Sequence, residues 1–530
     1  MNKQYIKTLV FNFRFFTWFF IGGVGFLFCC SPKLANERPN DLEDHWPKAG
    51  VTYEIFVRSF YDSDGDGIGD INGVRENLDH VSDLGANAIW FMPIMPSPSY
   101  HKYDVTDYKA IHPDYGTLED FKALISEAHA QDIRIVIDLI INHTSSEHPW
   151  FLESKKGRDN PYRDYFVWAQ KDTLEDYLEK KTITLDSDNI RQWHDPGFGE
   201  DFYYGFFYGG MPDLNFDNPK VREEVYEIGK FWLEEVGVDG FRLDAAKHIF
   251  PDDRPDDNHA FWKEFREKMV EIKSDIYLVG EVYDSKEIVA PYLPGLPALF
   301  NFDFHYTLLE ALRTADGSLL PTKQKQVLDY YQGITDEFID ATISSNHDQP
   351  RILSDLDGDE RKAKQAIAIL MTMPGAPYLY YGEEIGMLGK KPDPNIREPF
   401  LWDVLDKDGG RATWIDPKFS TDETVIPLEV QKEDASSMFR HYQETIKLRN
   451  TDSVLALGGL ELLDENYPKA LMAYERVLDG ERRIVFHNLG MERLELTYTT
   501  EGGEVVYSYN GATMDGKRLV FPPQSSLVVK

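Results

Sequence analysis

From about residue 50 onward, short apolar segments alternate with amphipathic stretches of helical periodicity. The apolar segments predict eight β-strands, at residues 51–57, 86–92, 133–140, 238–243, 276–279, 298–302, 341–345 and 376–380. Helical patterns lie between several of them, at 118–130, 219–236, 261–273 and 361–373. This alternation predicts an α/β protein with a parallel (β/α)8 TIM barrel, although the periodicity alone also fits a doubly wound open sheet.

Two parts of the chain depart from this alternation. The connection over 142–236 is too long for a loop without structure, and its Tyr-, Phe- and Gly-rich portion predicts an inserted domain B at 143–212. After about residue 455, short alternating strands separated by turn residues predict a C-terminal antiparallel β-sandwich at 455–530. The barrel is then expected to comprise residues 49–142 and 213–454.

The N-terminus is typical of an exported protein. Three basic residues precede an apolar stretch at 15–28, which is too short for a membrane span and suits the core of a signal peptide. The stretch ends at Cys29 and Cys30, the only cysteines of the chain, so no disulfide framework follows. Because this arrangement resembles a bacterial lipoprotein signal, we predict a signal peptide at 1–30 with lipid on Cys30, and a tether at 31–48. An ordinary cleaved signal and an uncleaved anchor are the alternatives.

The net charge of the chain limits the kinds of molecule that it can bind. The 530 residues include 56 basic and 91 acidic ones, a net charge of −35. So acidic a surface repels nucleic acid and anionic lipid, so we expect no nucleic-acid partner and membrane contact only through the N-terminal anchor. We expect a monomer on the periplasmic or cell-surface side of a membrane.

Acidic residues stand at or near the carboxyl ends of four predicted strands: Asp138, Asp244, Glu281 and Asp348. In a parallel barrel these ends share one rim, where barrel enzymes place their chemistry. A single acid at a strand end commonly just caps the next helix. Four of them on one rim favour a catalytic cavity.

Two of these acids, Asp244 and Glu281, have surroundings of opposite character, as the nucleophile and the proton donor of a glycosidase require. Arg242 lies two residues before Asp244, on the same side of a strand, and favours the anion that a nucleophile needs. Glu281 follows an apolar stretch, and desolvation there raises its pKa and keeps the proton of a general acid. Retention of configuration requires these two carboxyl groups to lie about 5–5.5 Å apart.

Four segments together resemble the α-amylase family, glycoside hydrolase family 13: residues 138–143, 240–248, 280–281 and 346–348, in the family's order. The resemblance covers about residues 50–530. It implies an enzyme that cleaves α-glucosidic bonds with retention, with Asp244 as nucleophile, Glu281 as acid/base and Asp348 as stabiliser of the transition state. It also implies that the sugar whose bond is cut contacts His143, Arg242 and His347.

The segment at 101–108 resembles the family's segment after the second strand, which implies that Tyr103 stacks on the same sugar. Lys102 stands where many members have glycine, so the shape of this loop is open. Asp104 resembles the residue that, in exo-acting members, pairs with an arginine and grips the terminal sugar. Arg397 is the candidate for that arginine, and a structural salt bridge is the alternative.

Two further matches leave the exact bond open. Residues 211–215 resemble the signature of members intermediate between oligo-1,6-glucosidases and neopullulanases. Lys247 and His248 instead resemble the amylase pair that holds sugars on the leaving side. We expect hydrolysis of α-1,4 bonds in starch-derived glucans and maltooligosaccharides. The alternatives are an oligo-1,6-glucosidase or α-glucosidase, a transglycosylase or isomerase on the same scaffold, and, more distantly, a non-catalytic glycan-binding barrel.

The segment 62–70 places acids at alternate positions among glycines, a spacing that wraps oxygen ligands around Ca²⁺. It resembles the start of an EF-hand, but Gly73 stands where that loop has its closing Glu. The family resemblance implies a structural Ca²⁺ here, whose ligands are Asp62, Asp64, Asp66, the Ile68 carbonyl and Asp70. A solvated acidic turn is the alternative, and a second Ca²⁺ near Asn142 is a weaker prediction.

Overall fold

The computed structural model describes residues 46–178, 191–197, 199–405, 407–463, 466–498 and 503–530. The predicted signal peptide, the lipidation site at Cys30 and nearly all of the predicted tether lie outside the described residues. Within the described part of the chain, no helix is long and apolar enough to cross a membrane.

The barrel is closed and parallel, and its eight strands are β1 (Thr52–Ile55), β2 (Ala88–Phe91), β3 (Arg134–Leu139), β4 (Gly240–Leu243), β5 (Tyr277–Gly280), β6 (Ala298–Asn301), β7 (Ile339–Ile343) and β8 (Ala376–Tyr380). Each strand pairs with its neighbour in the sequence, and β8 closes the ring by pairing with β1. This confirms the predicted TIM barrel and excludes the doubly wound sheet.

The barrel strands are mostly apolar because both of their faces are buried, one by the barrel interior and one by the surrounding helices, and the few charged exceptions include Glu54, Asp138 and Arg242. The predicted strands differ from the observed ones mainly at their ends. For example, Val57 begins the helix Val57–Phe60 instead of ending β1, and Gly280 extends β5 by one residue. Local apolar character therefore identifies the strands well but not the residue at which each one stops.

The α-helices of the described residues are Val57–Phe60, Ile71–Glu76, Leu78–Leu84, Leu118–His129, Pro149–Ser154, Pro219–Lys230, Pro255–Ile272, Lys286–Val289, Phe302–Thr314, Leu319–Gln332, Ile352–Asp355, Glu360–Thr372, Leu428–Lys432, Met438–Thr451 and Ser453–Leu457, of which the last three follow the final barrel strand. The start of Leu118–His129 shows a capping box, in which Thr117 and Asp120 bond to each other's backbone N–H. Pro219–Lys230 continues as a π-helix, Phe231–Val236, which completes the stretch predicted at 219–236.

Two smaller β-structures accompany the barrel. Between β3 and β4 lies an antiparallel sheet of Trp168–Gln170, Asp201–Tyr204 and Trp193–His194. The C-terminal part forms a five-stranded sheet of Gly459–Leu462, Leu471–Leu478, Glu481–Asn488, Ser525–Val529 and Val505–Tyr509, and a three-stranded sheet of Leu494–Thr497, Arg518–Phe521 and Thr513–Asp515. Both C-terminal sheets are antiparallel, as predicted.

Candidate active site

The carboxyl ends of the strands bring three predicted catalytic carboxylates to one rim of the barrel. Asp244 directly follows β4 and Glu281 directly follows β5. These strands pair in parallel with Leu243 opposite Gly280, so the two acids leave the barrel side by side. Asp348 reaches the same rim in the loop after β7.

The Arg242 guanidinium contacts three acids at once, Asp138, Asp244 and Glu281. Its Nη1 donates to Asp244 Oδ1 at 2.5 Å and to both carboxylate oxygens of Asp138 at 2.9 and 3.0 Å. Its Nη2 lies 2.7 Å from Glu281 Oε2. Arg242 is only 1% exposed, and a buried charge persists only when such partners neutralise it. Because one guanidinium binds both Asp244 and Glu281, their carboxyl groups are adjacent.

Glu281 has the character of a proton donor. Burial raises its pKa to about 7; Arg242 opposes that rise, whereas the negative charges of Asp244 and Asp348 add to it. A carboxyl group with this pKa still carries its proton in a substantial fraction of molecules at neutral pH, as a general acid must. The desolvation expected from the apolar approach of β5 is therefore present in the fold.

Asp348 has the opposite character. Burial would raise its pKa, but His347 and Arg397 hold it well below the usual range of an aspartate. Arg397 Nη2 donates to its Oδ1 at 2.9 Å, and His347 Nε2 lies 3.0 Å from its Oδ2. The side chain is nevertheless 40% exposed, so its anionic carboxylate remains accessible to solvent.

The predicted sugar-binding residues Tyr103 and His143 lie beside the acids, and together with His347 they form one wall of the site. Tyr103 stacks on the His347 ring with a centroid distance of 5.6 Å, and its hydroxyl donates to Asp138 Oδ2 at 3.1 Å. His143 Nε2 lies 3.2 Å from the Tyr103 carbonyl oxygen. Lys102, the departure from the family's glycine, has a φ of 66°. The loop therefore keeps the left-handed backbone that glycine adopts most readily.

The ion pair expected between Asp104 and Arg397 is not formed among the described residues. Asp104 Oδ1 accepts hydrogen bonds from Ser97, at 2.7 Å, and from Ser99. Arg397 instead binds Asp348 and lies 3.4 Å from Asp393 Oδ2. The physical reason is competition, because Asp348 and Asp393 already occupy the guanidinium. A role for Asp104 and Arg397 in holding sugar stays a prediction.

Lys247 and His248 follow Asp244 closely in the chain, and their role in holding sugars on the leaving side stays a prediction. Lys247 Nζ donates to the Tyr283 carbonyl at 3.2 Å and to Asp284 Oδ2 at 3.3 Å. The His248 ring stacks on Phe206 at a centroid distance of 3.9 Å. Lys247 thus links the segments that follow β4 and β5.

Sequence reasoning missed two residues of this wall. Phe207 packs against both predicted histidines, at centroid distances of 5.5 Å from His143 and 5.8 Å from His248. Glu54 of β1 accepts a hydrogen bond from His347 Nδ1 at 2.5 Å. The sequence does single out Glu54, because it is the one acidic residue in the apolar segment 51–57.

The acidic loop after β1 offers a set of oxygen donors. One carboxylate oxygen from each of Asp62, Asp64 and Asp70 lies within 4.8 Å of the others. Asp62 and Asp70 are buried, and their oxygens also accept backbone N–H groups of the loop, which fixes their direction. Hard oxygen ligands alone fit Ca²⁺. The predicted ligand Asp66 is not part of this cluster, and its Oδ1 accepts from Ile68 N at 2.7 Å.

A second group of oxygens lies where β3 meets the inserted segment. Asn142 Oδ1 is buried without a hydrogen-bond partner among the described residues. Asp213 lies nearby, because it forms an isolated antiparallel β-bridge with His143, the residue after Asn142. Burial raises the pKa of Asp213 to about 8. An unpartnered amide oxygen beside a carboxyl group that has no cationic partner among the described residues suits an oxygen-binding cation.

Known proteins share this fold and this sequence over nearly the whole chain. The family described as the α-amylase catalytic domain matches residues 54–458, and the C-terminal domain of the α-amylase SusG matches residues 471–528. Alpha-amylase 3 of Dictyoglomus thermophilum is 42% identical over 490 residues, which cover 92% of this chain and 94% of that protein. An oligo-1,6-glucosidase of Parageobacillus thermoglucosidasius is 32% identical, covering 84% of this chain and 91% of that protein.

Among solved structures, the crystal structure of an α-amylase from H. orenii superimposes with a TM-score of 0.84 at 41% identity, covering 91% of this chain and 99% of that one. The barrel and its rim of carboxylates define a glycoside hydrolase. The chain belongs to the α-amylase family, glycoside hydrolase family 13, whose substrates are α-glucans.

Proposed function

We propose that the enzyme hydrolyses α-1,4-glucosidic bonds in starch-derived glucans and maltooligosaccharides, with retention, through a covalent glycosyl–Asp244 intermediate. The observation that carries this proposal is the contrast between two adjacent acids on one guanidinium. Arg242 Nη1 donates to Asp244 Oδ1 at 2.5 Å and places a positive charge beside it, whereas burial raises the pKa of Glu281 to about 7. One group is thus suited to attack and the other to protonate.

In the first step, Glu281 gives its proton to the glycosidic oxygen while an Asp244 oxygen attacks the anomeric carbon. The bond from that carbon to the leaving oxygen breaks, and a bond to Asp244 forms. In the second step, the Glu281 carboxylate takes a proton from water, the water oxygen attacks the same carbon, and Asp244 is released. The anionic Asp348 stabilises the positive charge that the sugar develops in both steps.

The preference for α-1,4 bonds rests on the α-amylase relatives at 41–42% identity, and the oligo-1,6-glucosidase at 32% keeps short α-1,6 substrates as the second candidate. A product time course on maltoheptaose, starch, pullulan, isomaltose and sucrose separates the two. We expect maltooligosaccharides to be cleaved and water to be the main acceptor. Preferred cleavage of isomaltose, or products longer than the substrate, would contradict the proposal in favour of the α-1,6 or the transfer activity.

The pH dependence of kcat/KM tests the role of Glu281. Because its pKa is raised to about 7 and the protonated form is the active one, kcat/KM should fall as the pH rises through about 7. An aryl α-glucoside with an acidic leaving group needs little protonation, so its rate should fall less steeply over the same range. An equal alkaline decline for both substrates would show that another group titrates.

A structural Ca²⁺ at Asp62, Asp64 and Asp70 is part of the proposal. Free Ca²⁺ at 100 times its Kd should stabilise the fold by about 2.7 kcal/mol, and EGTA should lower the melting temperature accordingly. Asp64→Asn should abolish this response, whereas Asp107→Asn, at an exposed position elsewhere, should keep it. The same measurement on Asp66→Asn decides whether Asp66 is also a Ca²⁺ ligand, since a weaker response of the melting temperature to Ca²⁺ would show that it is. A wild-type melting temperature that ignores both Ca²⁺ and EGTA would refute the site.

Export as a monomeric lipoprotein completes the proposal, and it rests on the sequence of the first thirty residues. A mass spectrum of the mature N-terminus tests it. We expect a chain that starts at Cys30 and carries the mass of attached acyl groups. Cleavage elsewhere without added lipid would indicate an ordinary secreted enzyme, and sedimentation of the mature protein reports whether it is a monomer.

A further inference from the structure

Glu54 is a buried acid beneath the active site that the proposed reaction does not use. It lies in β1, inside the barrel, and is 1% exposed. Its Oε1 accepts a hydrogen bond from Nδ1 of His347 at 2.5 Å, and His347 itself is completely buried. A carboxylate at this depth needs a charged or strongly donating partner, and among the described residues the His347 ring fills that role.

The second ring nitrogen of His347 also faces acceptors. Nε2 lies 2.6 Å from the Tyr103 hydroxyl oxygen and 3.0 Å from Asp348 Oδ2. The Tyr103 hydroxyl hydrogen is used elsewhere, because it is donated to Asp138 Oδ2 at 3.1 Å. Both ring nitrogens of His347 therefore face oxygens that accept, and only the imidazolium form donates from both nitrogens.

We propose that Glu54 is a positioning residue for catalysis: its carboxylate keeps His347 an imidazolium, and the imidazolium orients Tyr103 and Asp348 towards the sugar. Glu54 acts only through His347 and does not touch the glucan. The inference rests on the proposed function of Asp348.

The electrostatic balance at His347 agrees with this assignment. Burial would lower its pKa, but Asp348 and Glu54 together raise it to about 10. The other groups that face His347 are Asp138 and Glu281 across the barrel, Arg397, whose Nε donates to the His347 carbonyl at 3.0 Å, and the uncharged Trp90 ring. All of these remain when Glu54 alone is changed.

The test is Glu54→Gln in the full chain. The glutamine amide keeps the shape and can still accept from Nδ1, but it no longer favours the positive charge. His347 should then lose its proton at a lower pH than in the wild type, because Asp348 alone remains to oppose the lowering of its pKa by burial. Above pH 7, kcat/KM of the wild type should fall about tenfold per pH unit, since Glu281 loses one proton. In the variant it should fall about a hundredfold per unit, because two protons are lost.

Glu384→Gln is the matched control. Glu384 is another glutamate that is 1% exposed and contacts a buried histidine, His80, at 2.9 Å, outside the catalytic wall. It should keep the wild-type slope even if its melting temperature falls. A folded Glu54→Gln variant with the wild-type slope would overturn the inference. If instead Asp348→Asn kept full activity, the proposed function itself would fail.

A measurement on the wild type covers the case in which Glu54→Gln does not fold. In protein labelled with ¹⁵N-histidine, the signals absent from His347→Asn belong to His347. We expect both of its ring nitrogens to stay protonated up to about pH 9. A neutral His347 ring at pH 8 would overturn the inference as decisively as an unchanged pH slope.

Discussion

Asp244→Asn should abolish turnover of maltooligosaccharides while leaving the protein folded. An amide cannot attack the anomeric carbon, so the covalent intermediate is lost and kcat should fall by roughly 10⁴-fold or more. The asparagine side chain can still accept from Arg242 Nη1, which now donates to Asp244 Oδ1 at 2.5 Å. The melting temperature should therefore change little, and substrate should still bind.

Azide rescue distinguishes a nucleophile from a merely structural acid. In Asp244→Gly, azide can enter the vacated space and attack an activated α-glucosyl fluoride from the face opposite the leaving group, which should yield the β-glucosyl azide. In Glu281→Ala, azide should instead attack the intermediate on Asp244 and yield the α-glucosyl azide. Loss of the general acid should cost about 10²–10⁴-fold with natural substrates. If the two variants gave the same anomer, the assignment of roles would be wrong.

The barrel and its carboxylates were predictable because their signals are local. A strand buried on both faces is mostly apolar, so each strand is visible in the sequence. In a parallel barrel, all the strands end at the same rim. Given that rule, Asp244 after β4 and Glu281 after β5 must be neighbours, and their pairing with Arg242 confirms it.

Contacts between distant segments were not predictable in this way. Glu54 and His347 are 293 residues apart, and nothing in either local pattern names the other as its partner. Arg397 was matched with Asp104 by resemblance, but it binds Asp348, because loop geometry rather than residue type decides which acid it reaches. Phe207 comes from an inserted segment without regular periodicity. There the sequence shows that aromatic residues are frequent, but not which side chain points into the site.

Arg242→Met should be the most destabilising single change in the catalytic site. It leaves Asp138, Asp244 and Glu281 without the cation that now lies within 2.5–2.9 Å of each. Removal of one partner from a buried charge cluster costs about 3–5 kcal/mol, so the variant should unfold at markedly lower temperature and denaturant concentration. Turnover should fall as well, because the acids lose the guanidinium that aligns them.

The direction of the pH effect identifies the cause. Burial already raises the pKa of Asp138 to about 7 against the opposing effect of Arg242, and loss of Arg242 should raise it further. A carboxyl group whose pKa is higher in the folded than in the unfolded state binds protons preferentially in the folded state. Its stabilising contribution is therefore lost as the pH rises, and Arg242→Met should be least stable at alkaline pH.

Arg449→Met supplies the comparison for this prediction. Arg449 is also completely buried, but its hydrogen bonds within the described part of the chain go to backbone carbonyls, among them those of Met371 and Met373. Burial lowers the pKa of Arg449 to about 9, so the comparison is made below pH 8, where the guanidinium stays charged. In that range its loss should destabilise the fold without the alkaline dependence that the acids confer, and it should leave the pH profile of kcat/KM in place. Thermal melts of both variants from pH 5 to 8 make the comparison. Equal slopes would mean that Arg242 stabilises the barrel by packing and backbone bonding rather than by neutralising the catalytic acids.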